Sequence, residues 1–393
     1  MGGGLEPVRR VLFWMHLGAG VLISCLVLFF ATTGALLAYE RPILHSADKR
    51  FYASGVVSGN AVPMPLDALA AGAMVAVPSP IEMVTVYRDP NLPVEMLTAR
   101  RTVYLANRYS GEVQGPVSPR LRVFFAEATA LHRWFGLSNA SHATATAVKG
   151  AAALLFLFLV LSGAVLWIPR HWSRTSVRTS IVPRLDAHGR ARNYNWHKVA
   201  GFWTALPLAV IVGTGVIMAY PWANALLFRL AHSPVPVRNP ENGSPGRRGK
   251  GVHALPVRLD EAFVEATRGV EDWQSATLRV PAGNGALNFV VDRSEGGHPE
   301  KREQVSVDPK TLVVLHRDNF AGLSRGQRWR SWVRFAHTGE AGGWWGESLA
   351  LISACGAIVL SVTGVAMSLD RLRRWRRCDH SDSTSNPLAK TSS

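Results

Sequence analysis

Two histidines open two long apolar segments at the same place. His16 begins HLGAGVLISCLVLFFATTGALLAY and His197 begins HKVAGFWTALPLAVIVGTGVIMAY, and both fit H-x3-G-x12-T-G-x4-Y without a gap. An ionisable side chain at the edge of an apolar layer is costly and marks a function or a polar partner. The plain alternative is an imidazole that snorkels to the interface or hydrogen-bonds a neighbouring helix. One iron with two axial imidazoles needs a histidine from each of two facing helices, and the repeated segment supplies such a pair. A second pair is His337 with either His132 or His142, each ahead of an apolar run that contains Ser162-Gly163 or Thr363-Gly364. Imidazole suits iron among other metals, and haem iron is commonly held by axial histidine. No cysteine or carboxylate joins either pair at ligand spacing, which argues against a bare zinc or copper site. No C-x-x-C-H occurs, so a haem would be held without thioether bonds, as b type.

Helix geometry bears on the same segments. At about 3.6 residues per turn, a step of four keeps Gly20 and Gly201 near the face of their histidine, and a step of eighteen returns Gly34 and Gly215 to it. Glycine in a membrane helix admits close approach, either of another helix or of a flat macrocycle. Cationic partners for haem propionates are available in Arg133, Arg328, Arg330 and Arg334 for the second pair, and in Arg9, Arg10 and Lys198 for the first. Lipid phosphates and acidic side chains are equally good partners for these cations.

Four apolar windows position these residues: 12–39 (TM1), 147–168 (TM2), 199–220 (TM3) and 348–369 (TM4). Each is long enough to cross a bilayer as a helix, which takes about 20 residues. The first follows Arg9 and Arg10 but is longer than the apolar region of a signal peptide, so it reads as a retained span. Pro207 predicts a kink in the third. Trp167, Trp222, Trp344 and Trp345 read as interfacial belt residues.

The 393 residues carry a net charge of +16, but the placement of that charge argues for membrane and against nucleic acid. Arg170, Arg174, Arg178, Arg184, Arg190, Arg192 and Lys198 crowd the basic loop 169–198, opposed only by Asp186, and Arg371, Arg373, Arg374, Arg376 and Arg377 follow in the tail 370–393. The positive-inside rule puts both of these, and the N-terminal segment 1–11, in the cytoplasm, where they attract anionic lipid. The connections 40–146 and 221–347 then lie outside. Neither contains a cysteine, so no disulfide framework supports them.

Each outer segment reads as a short helix followed by strands. In the first, helix 66–75 precedes strand 83–87 and a hairpin over 102–115 around Tyr109-Ser110-Gly111. In the second, a Pro/Gly/Arg linker at about 234–251 leads to helix 259–267, strands over 275–280 and 286–292, and a strand pair split at Asp308-Pro309-Lys310. Span, outer module and span are thus written twice, as parallel repeats with two α+β modules that fold on their own cores or against each other.

At this point the chain resembles a known family. The opening RR-x3-W-x-H from Arg9 to His16, LHRWFG at 131–136, LSG-x3-LW-x-PR at 161–170, NWHK-x2-G-x-W at 195–203, HTGE at 337–340 and the strand pair VDPKTLVVL are similar to the PepSY-associated transmembrane proteins. Within it, the chain resembles the inner-membrane iron-uptake proteins and haem-containing ferric-siderophore reductases. The LHR motif favours His132 over His142 in the second pair. The resemblance implies a mainly α membrane protein of the bacterial inner membrane with both termini cytoplasmic. It implies two haem b groups on His16, His197, His132 and His337, and a periplasmic ferric siderophore as electron acceptor. No dinucleotide fingerprint or P-loop is present, so the donor is expected to be quinol or a separate cytoplasmic reductase. PepSY modules also serve as binding or inhibitory domains. A membrane-anchored binding protein, or a haem-bearing subunit of a larger oxidoreductase, is therefore the competing expectation.

Overall fold

The computed structural model describes residues 5–53, 62–137, 139–169, 173–236, 258–281 and 285–384. The Pro/Gly/Arg linker falls outside these from residue 237, as do Arg170, His171 and His253. In chain order the helices are α1 (Leu5–Leu37), α2 (Glu40–Ala53), α3 (Leu66–Ala76), α4 (Pro119–Trp134), α5 (His142–Trp167), α6 (Arg174–Ile181), α7 (Gly189–Ala219), α8 (Pro221–Leu230), α9 (Leu259–Thr267), α10 (Arg325–Thr338) and α11 (Gly343–Thr384). The strands are β1 (Ile81–Tyr87), β2 (Val94–Thr98), β3 (Val103–Ala106), β4 (Val113–Gln114), β5 (Ser275–Arg279), β6 (Leu287–Asp292), β7 (Arg302–Val307) and β8 (Val314–Asn319).

Helices α1, α5, α7 and α11 are the four long and apolar enough to cross a membrane. α1 packs on α5 and α11, and α7 packs on the same two, so α1 and α7 stand on one diagonal of a square bundle. Ile23, Val27, Ala31, Val160, Leu208 and Ala357 fill its middle. Apolar side chains also cover the outside: Leu22 is 73% and Leu206 78% exposed. A helix apolar all round belongs in a hydrocarbon solvent. Gly20 and Gly201 approach Leu159 of α5 and Leu360 of α11, so these two glycines serve helix packing. α7 remains helical through Pro207.

The outer segments fold against each other. All eight strands make one antiparallel sheet in the order β4-β3-β2-β1-β5-β6-β7-β8, joined at its centre by β1 and β5 with Thr85 opposite Thr277. A four-stranded sheet ending at β1 leaves a row of unpaired backbone groups. Pairing β1 with β5 removes that edge from both segments at once. It also lets α3 and α9 lie side by side on one face, where Leu69, Ala73, Phe263 and Ala266 bury against Val84, Leu278, Phe289 and Val305. The two helices cap each other: Asp260 accepts from the backbone N–H groups of Leu66 and Asp67, and Asp67 accepts from that of Leu259 at 2.7 Å. The first-turn acids that look like local helix-start signals thus act in trans.

Strand β2 is absent from the sequence reading because Pro93 precedes it and because Leu97 is only partly buried while Thr98 is buried, which blurs a five-residue alternation. Under the opposite face of β2 and β3, Phe51 of α2 and the buried Val117 pack on Val103 and Leu105. An Arg122–Asp48 ion pair ties α4 to α2. The turn between β6 and β7 rests on the bundle mouth. Side chains at Gly296 and Gly297 would overlap the Arg41 guanidinium and the Glu340 carbonyl, and both glycines have positive φ.

Candidate functional site

Each of the four histidines singled out above is seated on a Ser-Gly or Thr-Gly pair of another helix. Nδ1 of His16 in α1 lies 2.8 Å from Ser162 Oγ in α5, and Nδ1 of His197 in α7 lies 3.0 Å from Thr363 Oγ1 in α11. Nδ1 of His132 in α4 lies 2.8 Å from Thr33 Oγ1 in α1. Nδ1 of His337 in α10 lies 3.3 Å from Thr214 Oγ1 in α7 and 2.8 Å from the Ile211 carbonyl.

The hydroxyls settle which ring nitrogen carries the proton. Ser162, Thr33, Thr363 and Thr214 each donate to the carbonyl four residues back, at 2.6, 2.9, 2.6 and 2.7 Å. A hydroxyl has one proton. Its oxygen therefore accepts from Nδ1–H, and the Ile211 carbonyl accepts from His337 in the same sense. In the neutral ring this assignment leaves Nε2 with a free lone pair in all four cases. Anchoring one nitrogen in this way is how proteins aim the other at a metal.

The glycine after each hydroxyl makes room for the ring. A Cβ on Gly163 would meet Cε1 of His16 at 3.3 Å, one on Gly215 that of His337 at 3.4 Å, one on Gly34 that of His132 at 3.5 Å, and one on Gly364 that of His197 at 3.6 Å. Gly34 and Gly215 are thus imidazole seats.

The seats in α1 and α7 nearer the sheet bring two of the histidines together. The rings of His132 and His337 face each other with centroids 6.5 Å apart and planes inclined by 55°. Phe30 meets His132 edge-on at 5.7 Å and Phe135 packs on Phe30. Burial, then the neighbouring His337, lowers His132 to about 4, and burial lowers His337 as well, so both rings are neutral at physiological pH. His16 and His197 occupy the equivalent level of α1 and α7, which stand on one diagonal of the bundle. His142 is elsewhere, stacked on Trp134 at 4.1 Å. Along α1 and α7, histidine and threonine are seventeen residues apart, about 25 Å at 1.5 Å per residue. The two levels therefore sit near opposite faces of a hydrocarbon layer about 30 Å thick.

Several cations are committed elsewhere. Arg9 donates to the carbonyls of Leu166 and Ile168 at the end of α5, and Lys198 to Ser180 Oγ at 2.6 Å. Arg328 donates to the carbonyls of Leu323 and Ala321, and Arg334 pairs with Glu340 at 3.5 Å. Arg330 is half-buried and has no hydrogen-bond or ion-pair partner among the described residues. Trp167 and Trp203 donate to carbonyls of α6, while Trp344 and Trp345 are exposed. Among the described residues, no three His, Cys, Asp or Glu side chains converge as a metal site; imidazole pairs are what the bundle offers. Sequence reasoning missed the four hydroxyls as histidine partners. It also missed Lys149, whose signal was plain: it is the one Asp, Glu, Lys or Arg in α5.

A square bundle of four membrane-length helices, roofed by one antiparallel sheet and holding four hydroxyl-anchored imidazoles, defines a multi-pass membrane protein of mainly α architecture. The chain belongs to the family described as the PepSY-associated TM region, which it matches over residues 13–378. No curated protein matches it.

Proposed function

We propose that this chain is a di-haem b protein of the bacterial inner membrane that carries electrons across the bilayer to a periplasmic ferric siderophore. The observation behind this reading is the set of four imidazoles with Nδ1 engaged and Nε2 free, one on each of four helices. In it His132 and His337 serve one haem iron and His16 and His197 the other. Two imidazoles on opposite sides of one metal, each nitrogen about 2 Å from it, have ring centroids roughly 6 Å apart. The 6.5 Å between His132 and His337 fits that requirement. A haem held by both imidazoles of a pair would supply one-electron transfer and offer no site for oxygen. The remaining work of the protein is ligation, burial and orientation.

The strand order, symmetric about β1 and β5, and the same histidine-to-hydroxyl scheme in each half favour an internal duplication. The arginines of α6, of the start of α7 and of the end of α11 lie at the bundle end away from the sheet. By the positive-inside rule the sheet is then periplasmic and the termini cytoplasmic.

Purified protein supplied with haem during expression is expected to show a Soret band and a reduced-minus-oxidised spectrum with two components. His16→Ala or His197→Ala removes one, and His132→Ala or His337→Ala the other. Dithionite-reduced protein is reoxidised by ferric siderophore. A protein without a Soret band overturns the proposal and leaves a binding role for the sheet domain.

A further inference from the structure

We infer that Lys149 would bias a haem held by the imidazole pair nearer the sheet toward its reduced state and so give the electron path its direction. This rests on the haem reading above. A charge within a membrane helix is costly and marks a role. Lys149 lies two turns into α5, half-buried. Its Nζ is held 3.3 Å from the Arg133 carbonyl and 5.1 Å over the Trp134 ring, directly beside His132 in the chain. Among the described residues no carboxylate pairs with it, so its charge is uncompensated.

The position is asymmetric. Lys149 precedes Ser162 by the same interval that Ala350 precedes Thr363, so the other half places no charge there. Lys149 and Arg133 act electrostatically on both His132 and His337. At the other pair, Lys198 follows His197 in the chain, but its ammonium is turned to Ser180 Oγ at 2.6 Å.

Oxidised iron carries one positive charge more than reduced iron. A fixed cation nearby therefore disfavours the oxidised form, and a half-buried one is screened less than one at the open surface. One electron would move from a haem on the basic-side pair to a haem on the sheet-side pair. No bond forms or breaks, and quinol or a cytoplasmic reductase replaces the electron. Arg133 adds to the effect, but it is exposed and water weakens it.

Redox titration of the full-length protein in nanodiscs tests this, with the sheet-side component assigned by its loss in His337→Ala. Lys149→Met is expected to lower the potential of that component alone and to shift the sharing of one electron between the two sites about tenfold, or ~59 mV for a one-electron couple. Lys149→Arg keeps the charge and is expected to stay near the parent value. Arg133→Gln, at the surface, covers the case in which Lys149→Met does not fold, and moves the same component downward by less. Haem retained with neither variant shifting the sheet-side component, or both components moving equally, overturns the inference and leaves the haem reading standing. Absence of haem from the unaltered protein overturns both.

Discussion

Thr33 Oγ1 stands 2.8 Å from Nδ1 of His132, joining the first span to a helix that lies outside the spans and almost a hundred residues away. The threonine proton is already given to the Phe29 carbonyl, so the contact runs from imidazole to hydroxyl. Three further histidines repeat the scheme.

Thr33→Val removes the acceptor and keeps the shape. A buried Nδ1–H left without its partner costs about 1–3 kcal/mol. Loss of such an outer contact typically weakens metal binding 10–100-fold. Haem titration of the apo-protein is expected to show the sheet-side component weakened by that factor, with the other component unchanged. Thr33→Ser restores it.

The four glycine seats differ in clearance, and the order of their substitutions follows. Gly163→Ala meets His16 at 3.3 Å and is expected to be the most damaging to its site, whereas Gly364→Ala meets His197 at 3.6 Å, an ordinary contact. Both act on the same pair of histidines. Haem content per protein after purification separates them; equal loss contradicts the seating argument.

Burying neutral His132 links stability to pH. Its folded pKa, about 4, is depressed below the ordinary 6.5, so the unfolded chain binds the proton more readily. The corresponding stability is complete above about 6.5 and is lost as pH falls toward 4. Thermal unfolding of the haem-free protein, followed by tryptophan fluorescence, is expected to show a falling midpoint over that interval. His132→Gln flattens the slope.

Asp67 and Asp260 cap each other's helices across the two outer segments. Replacing either by Ala is expected to cost about 1 kcal/mol. Because the two carboxylates serve one helix pair, the double variant is expected to cost less than the sum of the singles. Chemical denaturation of all three variants measures the coupling.

Much of the frame is legible in the chain itself, because its signals are local. Runs of apolar residues mark the four spans, and α9 falls where LDEAFVEAT predicts it. The repeated H-x3-G-x12-T-G marks two histidines at equal depth. What lies across space is not legible. His16 and Gly34 share a stripe of α1, yet Gly34 serves His132, because a helix face shows only what it offers and packing decides what takes it. His132 and His142 are both near a span start; the fold turns the first toward His337 and stacks the second on Trp134. The two outer segments read as equal units, and only the pairing of β1 with β5 makes them one sheet, since an exposed edge strand is satisfied by whichever partner the bundle brings beside it. By itself the sequence determined the spans, the strand-forming segments and the depth of the imidazoles. The tertiary structure decided which hydroxyl holds each ring, and therefore which nitrogen is free, because that depends on contacts between helices far apart in the chain.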